Sequence, residues 1–173
     1  MRSLCFLLMF TLINTVSAAD ASLSDYRLGV GDAVRITVFG QDDLDVEGIL
    51  TDAGTISYPF LGEIPALGLT VGQLEQLVHH GLKGDYLVNP SVSVAVVEYR
   101  KFFVDGEVKQ PGSFSYSPGM TLRKAIALAG GFTERASRKK ISVIREDMIG
   151  EMSIVLEDEV FPGDIITVNQ SFF

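Results

Sequence analysis

The chain has 173 residues, room for one ordinary domain or two small ones. Apolar residues make up 47% and charged residues 21%, which permits a packed core and argues against disorder. A formal net charge of -8 repels phosphate backbones, so no nucleic acid is expected as a partner.

Residues 1–19 have the order of an export signal. Met1-Arg2 gives a positive start, Leu4 to Ile13 a mostly apolar run, and Val16-Ser17-Ala18-Ala19 a small-residue cleavage site. The run is too short for a membrane span, which needs about 20 apolar residues. Cys5 is the only cysteine and lies inside that run, so cleavage after Ala18 or Ala19 leaves no thiol. Disulfides, thiolate metal sites and an acyl anchor are therefore not expected.

Gly31-Asp32 reads as a turn that launches a strand over 33–39, where Val34, Ile36 and Val38 alternate with Arg35 and Thr37. Residues 41–47 read as an acidic, solvated loop. Ile49-Leu50 and Thr55 to Tyr58 read as short strands around the Asp52-Ala53-Gly54 turn, and Pro59 to Gly68 as irregular chain. Thr70 and Gln73 form a capping box for a helix to Leu82, with Val71, Leu74, Leu77, Val78 and Leu82 on one stripe. Gly84 stops it, and Pro90 opens a strand over 91–99.

A second unit starts near Lys101. Phe102 to Val104 and Phe114 to Tyr116 read as strands. Thr121 caps a short helix through Ala129, whose core face is Leu122, Ala125, Ile126 and Leu128-Ala129. Strands follow at Ile141 to Ile144, Met152 to Leu156 and Ile165 to Val168, the last after the turn Pro162-Gly163-Asp164. Both Gly-Asp turns feed β-branched strands. That echo fits an internal repeat or the chance recurrence of a common turn.

The ordered set of motifs resembles the bacterial polysaccharide export family of the Wza type. It comprises Tyr26-Arg27-Leu28-Gly29-Val30-Gly31-Asp32 with Val34 to Gly40, and Asp52-Ala53-Gly54-Thr55-Ile56 with Pro59, Leu61-Gly62 and Ile64. The Leu69-Thr70 helix entry and Asn89-Pro90-Ser91-Val92 follow. The second unit is similar to a soluble-ligand-binding β-grasp (SLBB) domain. Its motifs are Val104 to Gly112, Pro118 to Leu122, Ala125 to Gly131, Arg145 and the ending from Pro162. The resemblance implies an α+β chain: a small mixed export-type domain over 24–99, followed by a β-grasp-like domain over 101–173.

It further implies a non-enzymatic subunit of a homo-oligomeric ring in the periplasm, associated with the outer membrane. Such a ring passes a polysaccharide polymer and works with an inner-membrane co-polymerase. Unlike long family members, the sequence shows neither a lipid-attachment cysteine after the signal nor a C-terminal amphipathic helix. A separate outer-membrane barrel protein is therefore expected to complete the path.

No catalytic, cofactor or metal site is expected. Asp42, Asp43 and Asp45 read as solvated acids rather than glycosidase carboxylates. Adjacent histidines such as His79-His80 diverge by about 100° on a helix and do not chelate as an i, i+4 pair would. Tyr26, Tyr58, Tyr86, Tyr99 and Tyr116 read as half-buried framework residues or as sugar-stacking rings. Seven cations fall between Arg123 and Arg145. Among them Arg135, Arg138, Lys139 and Lys140 read as a solvated turn or as the contact surface for an acidic partner or anionic polymer. The rival functions are a free carbohydrate-binding module, a small outer-membrane barrel ending in Phe172-Phe173, and an envelope enzyme.

Overall fold

The computed structural model describes residues 26–145 and 148–171. The expected export signal, Cys5 and Phe172-Phe173 lie outside the described residues. In chain order the elements are β1 (Ala33–Val38), β2 (Val46–Ile49), β3 (Thr55–Tyr58), β4 (Gly62–Pro65), α1 (Val71–Leu82) and β5 (Val92–Glu98). There follow β6 (Phe102–Gly106), β7 (Gly112–Phe114), α2 (Leu122–Leu128), β8 (Ala136–Ile144), β9 (Glu151–Ser153) and β10 (Ile165–Gln170). The described residues form an α+β fold with three sheets and two separate hydrophobic cores.

In the first unit β1 is the central strand of the sheet β2-β1-β5, antiparallel to both neighbours. Its period of two puts Val34, Ile36 and Val38 inward and leaves Arg35 exposed, in an ion pair with Glu47 across the sheet. β3 and β4 form a separate hairpin. α1 begins with both halves of the capping box in place: Thr70 Oγ1 accepts the Gln73 N–H at 3.3 Å, and Gln73 Oε1 accepts the Thr70 N–H at 2.9 Å. Leu74, Val78 and Leu82 bury its apolar stripe against Ile36, Ile56 and Val94.

The second unit is a five-stranded mixed sheet, β7-β6-β10-β8-β9. β10 runs parallel to β6 and antiparallel to β8. α2 lies on one face and sends Leu122, Ala125 and Ile126 into a core with Phe102, Val104, Ile141 and Ile166. A mixed sheet with a central parallel pair and one helix on one face is the β-grasp arrangement.

Several local expectations change. Residues 41–47 are a turn of 3-10 helix (Asp42–Leu44) running into β2, not a loop. Leu44 is buried and Val46 pairs with Ile36 of β1, so tertiary pairing supplies an order that a short acidic stretch does not signal. β2 pairs with β1 rather than with β3, and the supposedly irregular 59–68 contains β4. β8 starts at Ala136, five residues before the apolar run begins, so Arg138, Lys139 and Lys140 sit on a strand and not on a turn. Leu77 and Leu128 are outward-facing at the margins of their helices, at 37% and 49% exposure.

Candidate functional site

The two units are joined by Tyr99 to Lys101, and two Gly-Asp turns with buried aspartates flank that junction, the first through its carboxylate and the second through its backbone. Asp32 is fully buried in the first Gly-Asp turn. One of its oxygens, Oδ2, accepts the Gly29 N–H at 2.7 Å and the Tyr26 hydroxyl at 2.6 Å. Its Oδ1 accepts the Arg100 N–H at 2.7 Å, and the Arg100 guanidinium lies 3.2 Å from Oδ2. The second turn repeats the device. Asp164 is buried, accepts the Phe161 N–H at 2.9 Å, and is paired with Arg145 at 3.0 Å. Arg145 also donates to the Glu159 carbonyl and stacks 4.4 Å over the Phe161 ring.

The correspondence is positional as well as chemical. Each aspartate accepts the amide three residues before it, each follows a glycine of positive φ (Gly31 at 91°, Gly163 at 87°), and each precedes a strand. Each partner arginine stands just past the end of the antiparallel neighbour of that strand, β5 for Arg100 and β8 for Arg145. The echo in the sequence is thus a repeated structural element. Both copies clasp the junction: Asp32 takes the Arg100 N–H, the Gly163 N–H reaches the Lys101 carbonyl at 3.2 Å, and the Phe103 N–H reaches the Asp164 carbonyl at 2.8 Å.

Tyrosines complete the seam. Tyr26 meets Tyr99 edge-on at 5.0 Å, and Tyr99 meets Tyr116 of the second unit edge-on at 5.3 Å. Of the tyrosines weighed for sugar stacking, these three are framework. Burial pushes the ionisation of Tyr26, Tyr99 and Tyr116 upward. The Asp32 carboxylate adds to the effect at Tyr26 and Tyr99, and Glu159 at Tyr116. The sign follows directly. The unfolded chain ionises its tyrosines near pH 10 while the folded chain resists, so the stabilisation is complete below about pH 10 and is lost as pH climbs beyond it. Alkaline unfolding is expected to begin there, with tyrosinate absorbance and loss of circular dichroism rising together. A Tyr99→Phe variant should move that onset upward, and an unmoved onset would show that these rings do not control it.

Asp45 and both histidines are held by hydrogen bonds to the backbone, and Asp42 and Asp43 are exposed. Asp45 Oδ1 accepts the Val38 N–H at 2.9 Å. His79 Nδ1 is bonded to the Pro90 carbonyl and His80 Nδ1 to that of Gln76. Among the described residues no three His, Cys, Asp or Glu side chains are grouped to hold a metal ion.

The basic residues lie at the far end of the second sheet, away from the seam. Arg135, Arg138, Lys139 and Lys140 are all exposed. Arg138 lies 5.6 Å over the Phe132 ring, and Arg135 approaches Glu107 at 4.0 Å. The pairing of β8 with β10 jumps from Ile141–Val168 to Ala136–Gln170, so Arg138, Lys139 and Lys140 lie in an irregular stretch of the strand and all three reach solvent.

Sequence reasoning missed Arg100. Its only trace is Gly29, where a β-carbon would stand 2.3 Å from Arg100 Nη1, so the glycine makes room for the guanidinium. It also missed Phe39, which is 88% exposed.

Comparison with known proteins identifies both units. The polysaccharide biosynthesis/export protein family matches residues 20–97, and the SLBB domain matches residues 101–156. The exopolysaccharide production protein ExoF of Rhizobium meliloti is 34% identical over 69% of this chain and 32% of its own length. The EPS I polysaccharide export outer membrane protein EpsA of Ralstonia nicotianae is 27% identical over 87% of this chain and 49% of its own. The capsule polysaccharide export outer membrane protein CtrA of Neisseria meningitidis is 29% identical over 70% and 34% respectively. The chain thus spans a third to a half of the length of these relatives.

Proposed function

This chain belongs to the polysaccharide biosynthesis/export protein family, and from that membership we propose that it is a non-enzymatic subunit of an envelope conduit for exopolysaccharide or capsule. The observation that carries the reading is the ordered pair of family domains, joined by a clasped junction rather than a flexible tether. A conduit wall needs subunits of fixed shape, and the Asp32–Arg100 pair, the backbone bond from Gly163 to Lys101 and three tyrosines packed edge-on stiffen the junction.

The reading places the protein in the periplasm against the outer membrane, as a ring of identical copies. Its partners are the polymer, an inner-membrane co-polymerase and an outer-membrane component. Among the described residues no helix is long and apolar enough to cross a membrane. The described strands form three open sheets rather than one closed barrel.

Arg135, Arg138, Lys139 and Lys140 are assigned to docking an acidic partner. Exposed charge of this kind sets association rate and specificity more than fold stability. Deleting the gene should abolish polymer secretion. The triple variant Arg135→Glu/Arg138→Glu/Lys139→Glu should leave the melting temperature within a few degrees and cut secretion about tenfold. Unchanged secretion in the deletion strain defeats the export reading, and unchanged secretion in the triple variant defeats the docking assignment alone.

A further inference from the structure

The end of the first unit remote from the seam carries a cleft that the junction and the basic segment leave unused. Thr37, Phe39, Asp42, Asp45, Ser91 and Ser93 line it, and its volume is about 490 Å³. It forms where the end of β1, the start of β5 and the 3-10 turn converge. Its frame is fixed: the Phe39 N–H donates to the Ser91 carbonyl at 2.9 Å, and Asp45 is tied to the Val38 N–H. The phenyl ring stands almost wholly in water on this fixed backbone.

An aromatic pair lies at the neighbouring hairpin. Phe60, at the tip of the β3–β4 hairpin, is 66% exposed and holds a φ of 64°, a left-handed conformation that a bulky residue adopts only at a cost. Its ring lies 5.0 Å from that of Tyr86. The hairpin is tied to the cleft side, since Tyr58 of β3 donates its hydroxyl to the Leu44 carbonyl in the 3-10 turn at 2.9 Å.

The chemistry selects a ligand. A pyranose ring presents an apolar face of C–H bonds and a rim of hydroxyls. An exposed phenyl covers the face, ionised carboxylates accept from the hydroxyls, and serine or threonine hydroxyls both donate and accept. Asp42 and Asp45 repel a carboxylated or phosphorylated sugar. We propose that this cleft is a subsite for an uncharged, hydroxyl-rich stretch of the exported glycan, with Phe39 as the stacking platform and Asp42 and Asp45 as acceptors. The inference rests on the export reading and adds to it a site and a sugar class. A shallow, open site suits transport, which requires binding firm enough to engage a chain and weak enough to release it.

The test uses the full mature chain, isotopically labelled, titrated at millimolar concentration with uncharged gluco- and manno-oligosaccharides and with anionic oligogalacturonate. Amide shifts are expected for residues 37–45 and 91–93 with at least one uncharged series and not with the anionic one. Phe39→Ala should weaken binding about tenfold, and Asp42→Asn several-fold, with the melting temperature unchanged. Shifts located elsewhere, no response to any uncharged sugar, or a stronger response to the anionic series would overturn the proposal. So would shifts at these amides that depend only on protein concentration, since a second copy would then be the occupant. In cells, Phe39→Ala/Asp42→Asn is expected to slow secretion of an uncharged polymer. Normal secretion by this variant in a strain where gene deletion abolishes it would sink the subsite and leave the export role standing.

Discussion

Asp32→Ala is expected to lower stability by about 3–5 kcal/mol, because it removes the carboxylate paired with a buried arginine and orphans several donors at once. Arg100 has a side chain only 17% exposed, and the Gly29 N–H, Arg100 N–H and Tyr26 hydroxyl all point at the lost carboxylate. At this chain length a loss of that size corresponds to a fall in melting temperature of roughly 10 °C. Asp164→Ala should behave similarly, since its carboxylate is equally buried and paired with Arg145. Asp42→Asn and Asp43→Asn serve as controls and should change stability by no more than about 0.5 kcal/mol, because both acids are exposed. In a double-mutant cycle, Asp32→Ala with Arg100→Met should cost less than the sum of the two single changes, since the second removes the charge that the first strands. Additive losses would show that the pair is not coupled, and the account of the junction would fail.

The second large effect is expected at Gly106→Ala, for a steric reason. A β-carbon there would lie 2.2 Å from the Val168 carbonyl oxygen, inside the parallel pairing of β6 with β10. That oxygen accepts the Glu107 N–H at 2.9 Å, so pushing it away also breaks a hydrogen bond at the centre of the sheet. The backbone φ of 82° adds conformational strain. Together these give about 3–5 kcal/mol. Gly119→Ala isolates the strain: its φ is 74°, but open space surrounds the site. It should cost only about 1–2 kcal/mol. Chemical denaturation of the two variants would measure the difference. Equal losses would mean that the close approach of β10 contributes nothing.

Both predictions depend on features that sequence reading reached only halfway. Both Gly-Asp turns were legible, because glycine and aspartate at a strand entry have a local physical meaning. That each aspartate reaches full burial and takes an arginine was not. Arg100 is 68 residues from Asp32, and nothing in the residues between them fixes that approach. The basic segment was visible as charge, but its place within β8 was not, since the strand is anchored at Ala136 by Gln170 of β10, ahead of the apolar run that alone signals a strand. Phe39 read as the last apolar residue of a strand, and only the fold shows its ring standing in water beside two carboxylates.

The sequence by itself determined the elements whose information is local: α1 with its capping box, the alternating β1, the valine-rich β5 and the glycine-ended α2. Periodicity and capping act over a few residues, so a short window suffices. The ordered set of motifs also determined the resemblance to the polysaccharide export family. Tertiary structure alone decided the rest. The 3-10 turn and β2 exist because β1 offers an edge, the hairpin of β3 and β4 closes without a strong propensity signal, and β10 inserts between β6 and β8. The physical reason is common to all three: strand pairing joins residues far apart in the chain, and the energy that orders each segment resides in its partner.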